Sequence, residues 1–173
     1  MEEFSQLAGL KPSTWTPESL CEKVADIFHI QITEVALLEL RGQLLHFIFP
    51  PELKAAGAIP VSSSAVAART AQEQKAEIFN HFTQVNHFSV FELVKMGDSG
   101  LDAQIIQKLM SAPIINSQGK VAGVIQISRK APRLAIAGAD FTPADLKKLE
   151  SVAHSLAKLW SKGRVAAHSA AQI

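Results

Sequence analysis

Two consecutive stretches decide the fold of this chain: LMSAPIINSQGKVAGVIQISRK at residues 109–130 and FTPADLKKLESVAHSLAKLW at residues 141–160. The first stretch lies in a predicted hairpin of two strands, Ile105 to Ile115 and Lys120 to Ser128, because apolar runs flank an Asn-Ser-Gln-Gly turn. The second predicts a long amphipathic helix, since apolar residues recur every three or four positions after Thr142-Pro143. A hairpin that leads into a capped closing helix is the strongest pattern in the sequence.

Three residues of the predicted hairpin carry specific expectations. Gly119 supplies the left-handed turn residue. Pro113 cannot donate a ladder hydrogen bond, so its strand should have an edge position or a bulge there. Gly123 inside the second strand indicates a close approach of backbone, helix or ligand.

The start of the closing helix reads as a capping box. Thr142 is the predicted N-cap and Asp145 is the third helical residue, so each side chain can bond the other residue's backbone N–H. Phe141 and Leu146 are spaced as a hydrophobic staple. Helix capping therefore explains these residues without any ligand.

Upstream, the sequence predicts a second terminal helix and several shorter elements. The helix begins at Thr16-Pro17, with Trp15 and Leu20 as its staple, and Cys21 on its apolar stripe favours a buried structural thiol. The remaining predicted elements are strands Val35 to Leu40 and Leu44 to Phe49, a short serine-capped helix ending near Gln74, a strand Glu77 to Phe82 and a helix Val85 to Lys95.

This order predicts an α+β fold with a central antiparallel sheet and helices at both ends of the chain. We expect an N-terminal extension at residues 1–16, one domain at 17–162 and a C-terminal tail at 163–173. With 173 residues, of which 47% are hydrophobic and 19% charged, the chain can bury one sizeable core.

Charge and composition exclude several classes of function. The net charge of +1 gives no strong field for nucleic acid or an anionic membrane. No apolar run approaches the roughly 20 residues of a bilayer span, and the N-terminus lacks a signal-peptide core. The single cysteine excludes an intramolecular disulfide. We therefore expect a cytoplasmic protein.

The order of hairpin, Phe-Thr-Pro-x-Asp helix start and long closing helix resembles that of a GAF domain, a small-molecule-sensing and dimerising module of signalling proteins. The resemblance covers roughly residues 17 to 162. It implies that the first and last helices lie together on one face of the sheet. The irregular segment Ile59 to Ala103 would then cover a ligand pocket on the other face.

Aromatic and polar residues around that segment are the candidate ligand contacts, since ligand pockets are mostly apolar with a few directed polar groups. An equally weighted alternative is that the phenylalanines simply fill the core. The candidate ligand-binding residues are Phe47, Phe49, Ser62, Phe79, Phe82, Asn86, His87, Phe88 and Phe91.

The apolar stripe of the closing helix predicts a homodimer, with Leu156, Leu159 and Trp160 as its interface. The resulting hypothesis is a non-enzymatic sensor that binds a small molecule, has no catalytic residues and acts on a downstream signalling protein through its terminal helices. The alternative is an interaction and dimerisation module that binds no ligand.

More specific members of the family fit less well. Cyclic-nucleotide-binding GAF domains carry Asn-Lys where this chain has Ser128-Arg129, and Leu146 stands where their motif ends in Glu, so this is a distant alternative. Covalent bilin attachment is excluded, because no cysteine follows Cys21. Reduction of free methionine sulfoxide needs a resolving thiol for turnover, and a lone Cys21 on a buried stripe cannot supply that cycle. The six histidines show no metal-ligand spacing, so we expect neither a metal nor haem.

Overall fold

Helices and strands are described for residues 15–84 and 105–163 in a computed structural model of the chain. The α-helices are α1 (Pro17–Phe28), α2 (Val66–Glu73) and α3 (Pro143–Gly163). The strands are β1 (Val35–Arg41), β2 (Leu44–Phe49), β3 (Ala58–Pro60), β4 (Glu77–Phe79), β5 (Ile105–Ile115) and β6 (Val121–Ala131).

The strands form one antiparallel sheet in the order β3-β2-β1-β6-β5-β4. The β5–β6 hairpin supplies the two longest strands, of 11 residues each. Gly119 turns that hairpin with φ 75°, and the Asn116 side chain accepts hydrogen bonds from the backbone N–H groups of Gln118 and Lys120. The predicted α+β fold and its late hairpin are confirmed.

α1 and α3 pack on the same face of the sheet, which we call the terminal-helix face. One continuous core joins the apolar stripes of both helices to β1, β2, β5 and β6. On α3, Leu149, Val152 and Leu156 are fully buried there. Burial of each such side chain is worth about 1.5–3 kcal/mol, which is what holds α3 to the sheet.

Both terminal helices begin as their sequences predict. Thr16 caps α1, and its capping box is completed by Ser19, with 3.0 Å from Ser19 N to Thr16 Oγ1. At the start of α3, Thr142 N donates to Asp145 Oδ2 over 2.8 Å, and Asp145 N donates to Thr142 Oγ1 over 3.2 Å. Reciprocal bonds of this kind satisfy N–H groups that have no partner inside the helix.

The opposite face of the sheet, which we call the α2 face, carries α2. A second core lies there, in which Leu38, Leu45 and Phe47 from the sheet meet Ala67 and Ala68 of α2. The small alanine side chains let the helix backbone lie close to the strands. The described residues show the predicted two-sided architecture, with the terminal helices on one face and α2, from the middle segment, on the other.

Gly123 and Pro113, in the two strands of the hairpin, behave as predicted. A Cβ atom at Gly123 would lie 2.2 Å from the backbone oxygen of Leu38, so only glycine allows β6 to approach β1 this closely. β4 pairs with β5 only as far as Ser111, so Pro113 lies beyond the described part of that ladder. Its missing N–H therefore interrupts no hydrogen bond to β4.

Several local predictions need correction. The N-cap of α2 is Ala65, without a side-chain bond, because Ser63 Oγ instead accepts from Ala65 N over 3.4 Å. β4 ends at Phe79, and a 3₁₀ turn occupies Phe82–Gln84, since the weak alternation of this stretch fixes no long strand. The short edge strand β3 was not predicted. The predicted helix Val85 to Lys95 lies outside the described residues.

Candidate functional site

A hydrogen-bonded group of three buried side chains ties α2 to the centre of the sheet. Thr70 on α2 and Ser111 on β5 are joined by a hydrogen bond of 2.7 Å between their hydroxyl oxygens. Gln126 on β6 donates from Nε2 to Ser111 Oγ over 3.2 Å. All three residues are at most 5% exposed, and Ser111 and Gln126 stand opposite each other in the β5–β6 ladder. Buried polar groups that satisfy one another fix the position of a helix, because each is costly to leave unpaired.

An ion pair at the side of this group fixes α2 to β4. Arg69 Nε lies 2.8 Å from Glu77 Oε1, and Arg69 Nη2 lies 3.3 Å from Glu77 Oε2. The hydrogen bond and the charge of Glu77 raise the pKa of the Arg69 guanidinium, which stays protonated. The part of the α2 face beneath α2 is thus a filled core.

Beyond α2, towards β4, an apolar cluster is the best candidate for a ligand site. Val66, Phe82 and Leu109 are buried together, and Phe79 and Ile106 pack against them half-buried. We call these five residues the Phe82 cluster. They come from α2, β4, β5 and the 3₁₀ turn after β4, so the cluster lies where four structural elements meet.

Neutral hydrogen-bonding groups lie on the strands next to the Phe82 cluster. Ser128 pairs with Leu109 across the β5–β6 ladder, and its hydroxyl donates to the backbone oxygen of Glu34 over 3.3 Å. Gln107, the residue after Ile106, donates from Nε2 to the backbone oxygen of Ala131 over 2.9 Å. An apolar lining with a few fixed polar groups is the usual composition of a small-molecule site, and the Phe82 cluster with its neighbouring strands has such a composition.

The structure brings together only part of the predicted ligand set. Phe79 and Phe82 lie in the Phe82 cluster, whereas Phe47 lies under α2 in the filled core. Ser62 is exposed in the turn before α2. The predicted contacts Asn86, His87, Phe88 and Phe91 lie outside the described residues.

Phe49 lies on the other side of the sheet from Phe47, in the terminal-helix core. Consecutive residues Leu37 and Leu38 pair with Phe49 and Phe47, so Ile48 is an extra residue in β2. Such a bulge reverses the alternation of side chains from that point on. Phe49 is therefore not available to a ligand on the α2 face.

Sequence reasoning missed Val66, Ile106 and Leu109, as well as the group of Thr70, Ser111 and Gln126. One available signal was the alternation along β5, in which Met110 and Ala112 face the terminal helices while Leu109 and Ser111 face α2. Two polar residues at opposed positions of a hairpin core, Ser111 and Gln126, were a second signal.

The predicted dimer residues have unequal exposure. Leu156 and Leu159 are buried in the terminal-helix core, at 1% and 9% exposure, so neither side chain is presented to a second copy. Trp160 is half-buried at the edge of that core. The outer face of α3 is polar, and an open groove there is lined by Lys147, Glu150, Ser151, His154 and Ser155.

Arg129 stands at one position of the cyclic-nucleotide-binding motif, and Phe141 and Asp145 match two others. All three residues have structural contacts of their own. The guanidinium of Arg129 lies 4.7 Å from the centre of the Phe141 ring. Asp145 is bonded to Thr142 in the capping box. These contacts support the capping interpretation of the Phe-Thr-Pro-x-Asp sequence.

Cys21 is fully buried in the terminal-helix core, and burial raises the pKa of its thiol far above the ordinary value of 9.0. Among residues 15–84 and 105–163, no group of three His, Cys, Asp or Glu side chains is placed to hold a metal ion. Of the helices within those ranges, none has the length and hydropathy of a membrane span.

The described residues thus form a two-faced sheet, with α1 and α3 on one side and the short helix α2 on the other. The sequence model of the GAF domain matches residues 17–159. The chain therefore belongs to the GAF family, whose fold serves regulatory and sensory roles.

Solved structures of GAF domains share this fold at low sequence identity. The GAF domain of an Acinetobacter phosphoenolpyruvate-protein phosphotransferase superimposes with a TM-score of 0.68 and 15% identity, over 99% of this chain and 96% of that one. The corresponding domain from Coxiella burnetii gives 0.70 and 9%, over 96% and 95%. Free methionine-R-sulfoxide reductase of Neisseria meningitidis, in complex with its substrate, gives 0.64 and 16%, over 95% and 87%. No curated protein sequence matches the chain significantly.

Proposed function

We propose that this GAF domain is a non-enzymatic cytoplasmic sensor that binds a small molecule at the Phe82 cluster and signals as a homodimer through α1 and α3. GAF domains generally bind small molecules and dimerise, which supports the class of function. The signal would reach a downstream signalling protein. A single cysteine is typical of a reducing compartment, which supports the cytoplasmic location.

The observation that carries the proposal is the composition of the Phe82 cluster and its surroundings. Buried Phe82 and Leu109, with half-buried Phe79, give apolar area; the amide of Gln107 lies on β5 with Leu109, and the hydroxyl of Ser128 lies on β6 opposite Leu109. Fixed apolar and polar groups lower the entropic cost of binding, because few side chains have to be ordered. The site faces away from α1 and α3, so those helices stay available for a partner.

A second candidate, the ligand-free interaction module, is favoured by the packing of α2. The bonds of Thr70 with Ser111 and of Arg69 with Glu77 fill the centre of the α2 face with protein side chains. If the same close packing extended across the Phe82 cluster, the domain would act only through its surface. The two candidates differ in whether a small molecule stabilises the fold.

The absence of thiol catalysis is proposed on the position of Cys21. Its thiol is buried and protonated on the terminal-helix face, while the Phe82 cluster lies on the other face. Thiol catalysis requires an accessible thiolate. The likeness to free methionine-R-sulfoxide reductase therefore concerns the fold.

A thermal-shift screen of nucleotides, amino acids, haem and aromatic acids tests the proposal. A ligand at 100 times its dissociation constant stabilises the native state by about 2.7 kcal/mol. For a domain of 173 residues this raises Tm by roughly 5–10 °C. Phe82→Leu should reduce the shift, whereas the matched variant Phe47→Leu, in the filled core under α2, should keep it. If no compound in the panel shifts Tm, the interaction module replaces the sensor.

A further inference from the structure

Asn80 connects the two faces of the domain through a pair of hydrogen bonds. Its chain position lies between Phe79 and Phe82 of the Phe82 cluster, but its side chain reaches the residue before α3. Asn80 Nδ2 donates to the backbone oxygen of Phe141 over 3.0 Å, and the backbone N–H of Phe141 donates to Asn80 Oδ1 over 2.8 Å. One side-chain amide thus satisfies both backbone polar groups of a residue 61 positions away.

Phe141 determines where α3 begins. It directly precedes the N-cap Thr142, whose backbone oxygen accepts the hydrogen bond from Leu146 N over 3.1 Å. The Phe141 ring is buried in the terminal-helix core beneath the Arg129 guanidinium. The neighbouring Asp140 forms an ion pair with the buried Lys108 of β5. Asn80 is therefore part of a set of contacts that fix the first turn of α3 to the sheet.

We propose that Asn80 is a positioning residue that couples the Phe82 cluster to the first turn of α3. The proposal deepens the proposed function and rests on it in taking the Phe82 cluster as the sensing side. A change in the packing of Phe79 or Phe82 shifts Asn80, and this shift changes the stability of the first turn of α3.

Hydrogen-bond geometry makes this coupling steep. A hydrogen bond of 2.8–3.0 Å weakens sharply once its length or angle departs from the optimum. The side-chain amide of Asn80 makes two such hydrogen bonds in a fixed relative orientation. The two-state element is the first turn of α3, which is either formed or locally open. Local opening equilibria of this kind carry coupling between sites without a large structural change.

Amide hydrogen exchange of residues 146–149, in the first turns of α3, tests the coupling without any ligand. We expect Asn80→Ala to accelerate exchange there about tenfold, the effect of losing about one net hydrogen bond from a local opening equilibrium. Phe82→Leu should accelerate the same amides in the parent protein. In the Asn80→Ala background it should add nothing, because the connection is already cut.

Controls within the chain separate coupling from general loss of stability. Asn116→Ala removes an asparagine that also bonds two backbone groups, but in the β5–β6 turn, and it should leave the first turn of α3 unchanged. The amides of Ile125 and Ile127 in β6 report global unfolding in every variant.

Two results would overturn the proposal. Exchange at 146–149 that stays unchanged in Phe82→Leu would show that the cluster does not reach α3. An equal acceleration by Phe82→Leu with and without Asn80 would show that Asn80 is not the connection. Either result leaves the ligand proposal standing, and a failed ligand screen leaves the coupling standing, because the two experiments share no readout.

Discussion

Gly123 is the residue at which a single added carbon atom should cost most. In Gly123→Ala the new Cβ would lie 2.2 Å from Leu38 O, a backbone atom that cannot move without disturbing the β1–β6 ladder. We expect the free energy of unfolding to fall by about 2–3 kcal/mol, the cost of overpacking a rigid site.

Urea denaturation of Gly123→Ala measures this loss, and Gly42→Ala is its control. Gly42 has φ 61° but open space around its Cβ position, so that variant suffers backbone strain alone, about 1–2 kcal/mol. If Gly123→Ala unfolds at the parent's urea concentration, the close approach of β6 to β1 is wrong.

Cys21 should behave as an inert core residue, and its thiol should lose its proton only when the chain unfolds. Burial raises the pKa of the Cys21 thiol in the folded state. As the pH rises past the ordinary thiol pKa of 9.0, the unfolded chain therefore loses this proton while the folded protein keeps it. The folded state then binds more protons than the unfolded state, and stability falls as the pH rises. Between pH 8 and pH 10 this contribution should be about 1–2 kcal/mol.

Comparison of the parent with Cys21→Ala at pH 8 and pH 10 isolates that contribution, since the variant lacks the thiol and should lose about 1 kcal/mol of packing at both values. The folded parent should also resist a thiol reagent at pH 8. Rapid modification of Cys21, or reduction of free methionine sulfoxide that depends on it, would refute the buried, non-catalytic assignment.

At the scale of elements, the start of α3 tests whether the Phe-Thr-Pro-x-Asp sequence serves helix capping. Thr142→Ala and Asp145→Ala should each lower the free energy of unfolding by about 1 kcal/mol. Because the two side chains bond each other's backbone N–H groups, the double variant should lose less than the sum. Urea titrations of the four proteins complete the cycle, and an Asp145→Ala variant as stable as the parent would contradict the capping role.

Elements with strong local signals were predictable from the sequence, and elements set by tertiary contacts were not. α1, α3 and the β5–β6 hairpin each combine an apolar period with a cap or a glycine turn. β3 has three residues and exists because β2 offers an edge, so no local pattern announces it. β4 was predicted, but its end at Phe79 was not: the strand is equally short and is held by β5 and by the Arg69–Glu77 pair.

The candidate site was predictable only in part, for a physical reason visible in β2. A strict alternation places Phe47 and Phe49 on one face, but the bulge at Ile48 sends them to opposite faces. Bulges follow from pairing with a neighbouring strand, which a single strand's sequence does not contain. The partners of Phe82 likewise come from α2 and β5, so the cluster emerges only when these elements meet.

At the scale of the whole molecule, the proposed homodimer depends on the surface of the terminal helices. The apolar stripe of α3 is largely used by the protein's own sheet, which leaves half-buried Trp160 as the apolar contact of the predicted interface. Light scattering at micromolar concentration should give about twice the chain mass. Trp160→Glu should shift the protein towards monomer.

Ile136→Glu is the matched control for the dimer experiment. Ile136 is 57% exposed in the 3₁₀ turn Leu134–Ile136, outside α1 and α3, and the added charge there should leave a dimer built on those helices intact. A parent protein that is monomeric at micromolar concentration, or equal dissociation of both variants, would show that α3 is not the interface.

Native mass spectrometry of the protein purified from its own host shows whether the Phe82 cluster holds a small molecule. We expect a species heavier than the bare chain by the mass of one small molecule per protomer. Phe82→Trp, which fills the cluster with a larger ring, should lose that added mass, while Phe47→Leu should keep it. A parent protein that carries no added mass under conditions that preserve the native state would contradict this expectation.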